Sequence, residues 1–425
     1  MRVARYRSLI LLAALVASRS FGGAAAALPP LATLRAAAVT IGPYVQAIGP
    51  YALTVCWETD EAVPTRLHWG ATQDCSVTYE DAVPATRHEV SLSGLRAATV
   101  YWYRLDDAGA PGRAVPVRTQ PDHPVPVRVG AFGDTRTNDA AHAQVVADLI
   151  ADSPDLVLHT GDLVASVSES YWQTFFRIEA TLLRSVPIYP VLGNHERNGS
   201  RYVQLFVLPQ QGGQRRYYEA RWGTVSVVAL DTNQAVAEGS AQWRWLASTL
   251  AALAGDPGVS FRIVLLHHGP FDSGSGHGSN LDVRSAMVPL FQSYGVDIVV
   301  SGHNHDYERS TVKGVKYVVT GGGGAPLDTV TGGWWTEVAT SSYHHCLLEI
   351  GEASLHFTAR EAGTGRVIDE FSLPRKGAAS PTPTATPTPT ATVTPTPTPA
   401  ATATATITPT TAIARPRRRV QRIAP

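Results

Sequence analysis

The sequence predicts an α/β domain, a sheet sandwich flanked by helices, preceded by an all-β sandwich, and three observations carry the prediction. From about residue 38 to 120, runs such as ALTVCWET, TRLHWG, HEVSLSGL and TVYWYRL alternate apolar and polar positions and are rich in aromatic and β-branched residues. That period of two belongs to half-buried strands. Beyond Pro121 and Pro124, strand-like runs (VPVRVGAF, DLVLHTG, RIVLLHH, VDIVVSGH) alternate with helical stretches (DAAHAQVVADLIADS, AQWRWLASTLAALA, VRSAMVPLFQSYG), the pattern of a sheet covered by helices. Finally, five of the strand-like runs in this second region end on Asp, Asn or His.

Taken in chain order, the first segment carries Arg2, Arg5 and Arg7, a short apolar run from Leu9 to Ala17, and then an Ala-rich stretch. This is the layout of a signal peptide, expected over residues 1–27, and its apolar run is short for a membrane span. Export predicts a secreted or cell-surface protein. Residues 38–122 form the all-β part, in which Trp57, then LSGL, then TVYWYRL resemble a fibronectin type III-like domain. The three cysteines, Cys56, Cys75 and Cys346, show no C-x-x-C spacing. That argues against a thiolate metal site and leaves Cys56 and Cys75 either as a disulfide or as buried thiols. Residues 123–374 form the α/β part, with short strands from about 343 to 372 closing it. From 375 to 425 the chain is rich in Thr and Pro, cannot build a core, and is expected to be a disordered, extended spacer. Its basic end, IARPRRRVQRIAP, is a candidate contact with an anionic cell surface or a solvated terminus. Lys plus Arg equals Asp plus Glu at 35 each over 425 residues. With no net field, nucleic acid is not an expected partner.

The chemistry gathers in the α/β part. AFGDTR ends on Asp134, LHTGDLV on Asp162, YPVLGNHERN on Asn194 and His195, VLLHHGPF on His267 and His268, and VVSGHNHDYER on His303 and His305. Alone, the Asn194–His195 stretch reads as a polar turn. Together, side chains at the carboxyl ends of adjacent strands converge on one rim of a sheet, where α/β folds place their sites. Carboxylate with imidazole suits Zn, Fe or Mn better than Mg or Ca. Two close cations need a bridging anion, and a carboxylate supplies one. A neutral Asn adds a ligand without negative charge. The glycine ahead of each acid or amide is expected to let the chain turn sharply as its strand ends.

This constellation resembles the calcineurin-like metallophosphoesterase superfamily, and GHNHDYER behind a β-domain is most similar to its purple acid phosphatase branch. The resemblance implies two metal ions, with Asp134 and His305 on the first, Asp162 bridging, and Asn194, His267 and His303 on the second. It implies that His195 and His277 serve the phosphate, and the spacing to His277 in SGSGHGS matches His267 rather than His268 as the ligand. Two departures stand out. The tyrosine that colours purple acid phosphatases would fall three residues after Asp162, where this chain has Ala165. GDTR puts Arg136 where many superfamily members place a metal-binding His, which leaves the first position short of a ligand. Arg136 is then either a phosphate contact, for which its fork is well shaped, or a surface residue.

The implied function is hydrolysis of a small-molecule phosphate monoester by hydroxide activated at the metals. The alternatives are a phosphodiesterase or nucleotidase on the same site, and a surface-displayed binding protein with a vestigial one. His159, His344 and His345 read as structural, and GGGGAP at 321–326 as a close-packed turn because it lacks a nucleotide-loop pattern.

Overall fold

The computed structural model describes residues 37–107, 110–210 and 215–376. The signal peptide expected over 1–27, and the Thr/Pro-rich segment beyond Lys376 with its basic end, lie outside these residues. Among the described residues no helix is long and apolar enough to cross a membrane.

The N-terminal β-sandwich is built around one long strand, Ala52–Gly70. Its first half pairs antiparallel with Val39–Gln46 and its last residues with Val100–Arg104, which in turn pairs with Val115–Arg118. Val77–Ser93 follows it along both halves, and register shifts between Glu58 and Thr65 fold the pair over. Such bulges let one strand serve two layers. Inward positions Val55, Trp57, Leu67, Trp69, Val90 and Tyr103 are all buried. Cys56 and Cys75 are buried free thiols, so the disulfide alternative does not hold. Cys56 lies within the strand, whereas Cys75 sits in the turn after it.

The α/β part is a sandwich of two mixed sheets. One has six strands in the order Ile188–Pro190, Leu156–His159, Val127–Phe132, His344–Ile350, Ser354–Glu361 and Val367–Pro374. The first three are parallel, and the last three are the closing strands, added antiparallel. The other has seven: Tyr218–Trp222, Val225–Ala229, Phe261–His268, Ile298–Gly302, Val315–Thr320, Tyr307–Val312 and Thr336–Thr340. Strand Phe261–His268 shows why its sequence is a continuous apolar run. Ile263 and Leu265 face the core between the sheets, while Val264 and Leu266 face a second core with Leu246, Leu250 and Phe291 of the covering helices. A parallel strand covered on both faces has no polar side to alternate with.

Helices Asp139–Ala151 and Ala241–Gly255 start where Asn138 and Ser240 accept from the backbone N–H of Ala141 and Trp243, satisfying otherwise orphaned donors. The helical stretch expected over VRSAMVPLFQSYG is two short helices, Leu281–Ala286 and Val288–Ser293, separated at Met287 just before Pro289. Proline cannot donate to the preceding turn.

The β-sandwich packs directly on the α/β part. The Tyr44 hydroxyl donates to Leu205 O at 2.6 Å, and its ring lies 4.6 Å from that of Phe176. Arg201 forms a fork on Glu58, at 2.9 and 2.5 Å, and also reaches Glu169. Removing one partner of a largely buried, charge-assisted pair leaves the other unsatisfied. Arg201→Ala is expected to lower unfolding stability in urea by about 1–3 kcal/mol, and Glu58→Gln/Arg201→Met to recover part of that loss; no change in the single variant would show the fork contributes nothing.

His344 is buried, with Nδ1 donating to Ser342 O and Nε2 facing the Thr320 hydroxyl. Burial pushes its pKa down to about 4. The folded value lies below the unfolded value near 6.5, so this stability is complete above that pH and is lost as pH falls towards 4. In chelator, His344→Gln should lose less stability than the parent between pH 7 and pH 4, by on the order of 3 kcal/mol; parallel losses would contradict this account.

Candidate metal centre

Five strand ends meet at the seam between the two sheets. Val127–Phe132, Leu156–His159 and Ile188–Pro190 deliver Asp134, Asp162 and Asn194 from the six-stranded sheet. Phe261–His268 carries His267 at its end, and Ile298–Gly302 delivers His303 and His305 from the seven-stranded sheet.

The turns differ from the expectation that glycines make them. Only Gly161 of the four glycines ahead of Asp134, Asp162, Asn194 and His303 has a positive φ, at +98°. The left-handed conformation falls on the functional residues themselves: Asp134 at 56°, Asp162 at 53° and His303 at 76°. Such backbone is costly for non-glycine residues and persists where surrounding structure holds it. The glycines serve close approach instead. A Cβ on Gly193 would run into Asp162, and one on Gly302 into Asp134 and Thr160.

Hydrogen bonds fix most of the donors, and ring contacts with His267, His268 and His277 hold His303. Asp162 Oδ1 accepts from His195 N at 3.0 Å, and Asp134 Oδ2 from His303 N at 3.0 Å. Asp134 is fully buried, and its Oδ1 has no hydrogen-bond partner. Burial, then the nearby Asp162 carboxylate, hold the Asp134 carboxyl well above the usual range. His267 Nδ1 donates to Thr160 O at 2.8 Å, which turns Nε2 to within 3.1 Å of Asn194 Oδ1 and 3.5 Å of Asp162 Oδ1. Burial, then His268, push its pKa well below normal, so this ring is neutral and Nε2 carries a lone pair. Two lone pairs side by side at 3.1 Å repel each other and are satisfied when both ligate one cation lying beside them. His303 is pushed down to about 2, by burial first and then by His267, His268 and His277. His305 Nδ1 donates to Pro326 O at 2.8 Å, leaving Nε2 as the acceptor, 3.9 Å from Asp134 Oδ1. Burial, then the Arg136 charge, lower its pKa.

These donors fit metal ions. Ligand atoms of Asp134, Asp162 and His267 lie within 4.8 Å of one another, as do those of His267, His268 and His303. The orphaned Asp134 oxygen and the Asn194–His267 apposition both call for positive charge.

The structure also gathers the other predicted site residues. His195 Nδ1 donates to Ala165 O at 2.8 Å, and Nε2 lies 3.8 Å from Asp162 Oδ2. The His277 ring stacks on His303 with centroids 3.9 Å apart. Arg136 is not a surface residue: its Nε donates to Asp162 Oδ2 and its Nη2 to His305 Nε2, each at 3.2 Å. His159 lies behind the site, its ring against Phe132 and Phe175. His345 pairs with Asp152 away from the donors.

Two contributors went unassigned from the sequence. Glu196, directly after His195, is buried and accepts from Gly193 N, Asp162 N and Val164 N at 2.7, 3.0 and 3.2 Å. Burial, then Asp162, push its carboxyl up to about 8. It ties the Asp162 and Asn194 turns together, and an acid immediately after two donor residues was the available signal. His268, its Nδ1 held against the Thr232 hydroxyl, adds a third imidazole beside His267 and His303.

Comparison with known proteins agrees with this geometry. Residues 127–307 match the family described as Calcineurin-like phosphoesterase. Purple acid phosphatase 15 of Arabidopsis thaliana is 29% identical over 290 residues, covering 56% of this chain and 53% of that protein. Probable inactive purple acid phosphatase 24 of the same plant is 25% identical over 296 residues, covering 57% of this chain and 46% of that protein. The chain thus spans about half the length of the curated relatives it matches. The solved structure of a purple acid phosphatase from yellow lupin (Lupinus luteus) seeds shares the fold, with a TM-score of 0.71 at 20% identity over 83% of this chain and 78% of that one. Residues 127–307 therefore form a calcineurin-like phosphoesterase domain with purple acid phosphatase-like homologues, and an all-β region precedes it in the chain.

Proposed function

We propose that this protein is a secreted hydrolase of small-molecule phosphate monoesters, working at a two-cation centre. The observation that carries the reading is the apposition of His267 Nε2 and Asn194 Oδ1 at 3.1 Å, beside Asp162 and the orphaned oxygen of Asp134. Asp134, Asp162 and His305 would hold one ion, and Asp162, Asn194, His267 and His303 the other. Ions of the Zn, Fe or Mn type would supply Lewis acidity there and ease the ionisation of a water molecule to the hydroxide that attacks phosphorus.

The chain's own residues do the rest. Asp162, with Oδ1 toward His267 and Oδ2 toward Arg136, would serve both positions. His195, its Nδ1–H committed to Ala165 O and its partly exposed ring beside Asp162, would in its imidazolium form give the Nε2 proton to the leaving oxygen. His277, backed by His303, flanks the phosphate, and Arg136 adds a fixed positive charge. Export is supported by the basic, apolar and Ala-rich opening of the sequence.

A relative named as probably inactive favours a second reading, a binding protein with a vestigial centre. The complete donor set weighs against it. Metal analysis with paired chromogenic aryl monoester and diester substrates separates these readings: metal with monoester turnover is expected, diester preference would replace the substrate class, and metal without any turnover would favour the binding protein.

Asn194→Ala should lower both metal content and activity, since it removes a ligand atom. His195→Ala should keep its metal while turnover falls by roughly 10²–10⁴-fold, as for a general acid; an equal loss of metal would make His195 a ligand instead.

A further inference from the structure

We propose that Arg136 is a built-in competitor for the first cation, so that the two positions load unequally. One ion binds tightly among Asp162, Asn194, His267 and His303. A second enters beside Asp134 and His305 only by displacing the guanidinium. The inference rests on the metal-centre reading above.

The contacts define the competition. Arg136 donates to Asp162 Oδ2 and to His305 Nε2, each at 3.2 Å. Because His305 Nδ1 is committed to Pro326 O, Nε2 is the ring's one remaining lone pair. It can accept an N–H or ligate an ion, but not both. Asp162 Oδ2 is the carboxylate oxygen turned from His267, whose Nε2 faces Oδ1 instead. The guanidinium therefore engages Asp162 and His305, two of the three protein donors of the first position, and of the second position's donors meets only the shared Asp162, at the oxygen turned from His267.

The rest of that position explains why the competition is one-sided. Ala165 brings no side-chain ligand, and its carbonyl already accepts from His195. The first position thus has three side-chain donors against four at the second. Asp134 Oδ1 keeps no hydrogen-bond partner, so one anionic oxygen remains for an incoming ion once the guanidinium leaves. Arginine stays charged at every working pH, and two divalent ions plus a guanidinium would directly meet the two carboxylates Asp134 and Asp162, with Glu196 behind them and Asp328 beside His305. The displaced fork has an obvious acceptor in the phosphate of a substrate, which it fits with two parallel N–H groups. Its side chain keeps 14% exposure, against 1% for Asp162, so the guanidinium is the part of the pair that reaches solvent.

The test is calorimetric titration of the metal-stripped full chain with Zn²⁺, with metal counted after equilibration at fixed free ion. The parent should bind one ion tightly and one weakly. Arg136→Gly should strengthen the weak step, within the roughly 5–150-fold range of coupled sites, and leave the tight step unchanged. Arg136→Lys keeps the charge but loses the fork, and should fall between them; it also serves if the glycine variant does not fold. Asn194→Ala should weaken the tight step. Identical weak steps in parent and Arg136→Gly, or a weaker one in the variant, would overturn the competition while leaving the metal centre standing. No binding by the parent, or no effect of Asn194→Ala, would remove the metal-centre reading and this proposal with it.

Discussion

Two carboxylates, Asp134 and Asp162, are buried side by side at the ends of neighbouring parallel strands, and the surrounding structure is organised around that fact. Buried like charges repel strongly where water cannot screen them. The upward push on Asp134, from burial and then from Asp162, registers this tension. Backbone amides satisfy one oxygen of each acid, through His303 N and His195 N. They cannot neutralise two charges. Cationic charge is what the remaining oxygens require, and Arg136 brings it to Asp162 Oδ2.

The same constraint accounts for the strained turns. Left-handed backbone at Asp134, Asp162 and His303 aims these side chains back across the strand ends. Cross-links between the loops hold it in place: Asp134 N to Gly161 O, Thr135 N to Asp162 O, and the three amides gathered by Glu196. The imidazoles are fixed in a parallel way. His195, His267 and His305 each give Nδ1–H to a backbone carbonyl, of Ala165, Thr160 and Pro326 respectively. Each Nε2 is thereby directed into the site before any ligand arrives, which is how outer partners orient metal-binding histidines.

The strand-end donors were legible because each sits beside an apolar run with a clear period, and sheet geometry does the converging. The helices Asp139–Ala151 and Ala241–Gly255 were legible for the same reason. Helix Glu169–Leu183 was less so, as its sequence interleaves aromatic and polar residues without a capping hydrogen bond at Ser168. The folding-over of Ala52–Gly70 depends on register shifts that no local pattern announces. The glycines were visible, but the reason for them was not. Whether a glycine is needed for its own φ or for a neighbour's room depends on what stands opposite, and at Gly193 that is Asp162, distant in sequence. Arg136 was ambiguous for a related reason: its partners, Asp162 and His305, lie 26 and 169 residues away.

The β-sandwich belongs to this arrangement rather than standing apart as a separate module. Helix Ser200–Leu205 follows the Asn194 turn, and the sandwich holds it at two points: Glu58 on Arg201, and the Tyr44 hydroxyl on Leu205 O. From the same helix, the Tyr202 hydroxyl donates to Pro190 O at 2.6 Å, and Tyr218 donates to that carbonyl at 2.7 Å. Pro190 ends the strand that leads into Asn194 and Glu196. The chain of contacts thus runs from the sandwich, through one short helix, to the loop that presents Asn194 to His267. A six-residue helix is too short to be stable on its own, so what it leans on decides how firmly that loop is held. The sandwich supplies that support through Glu58 and Tyr44, which bond to the helix and not to the donor side chains.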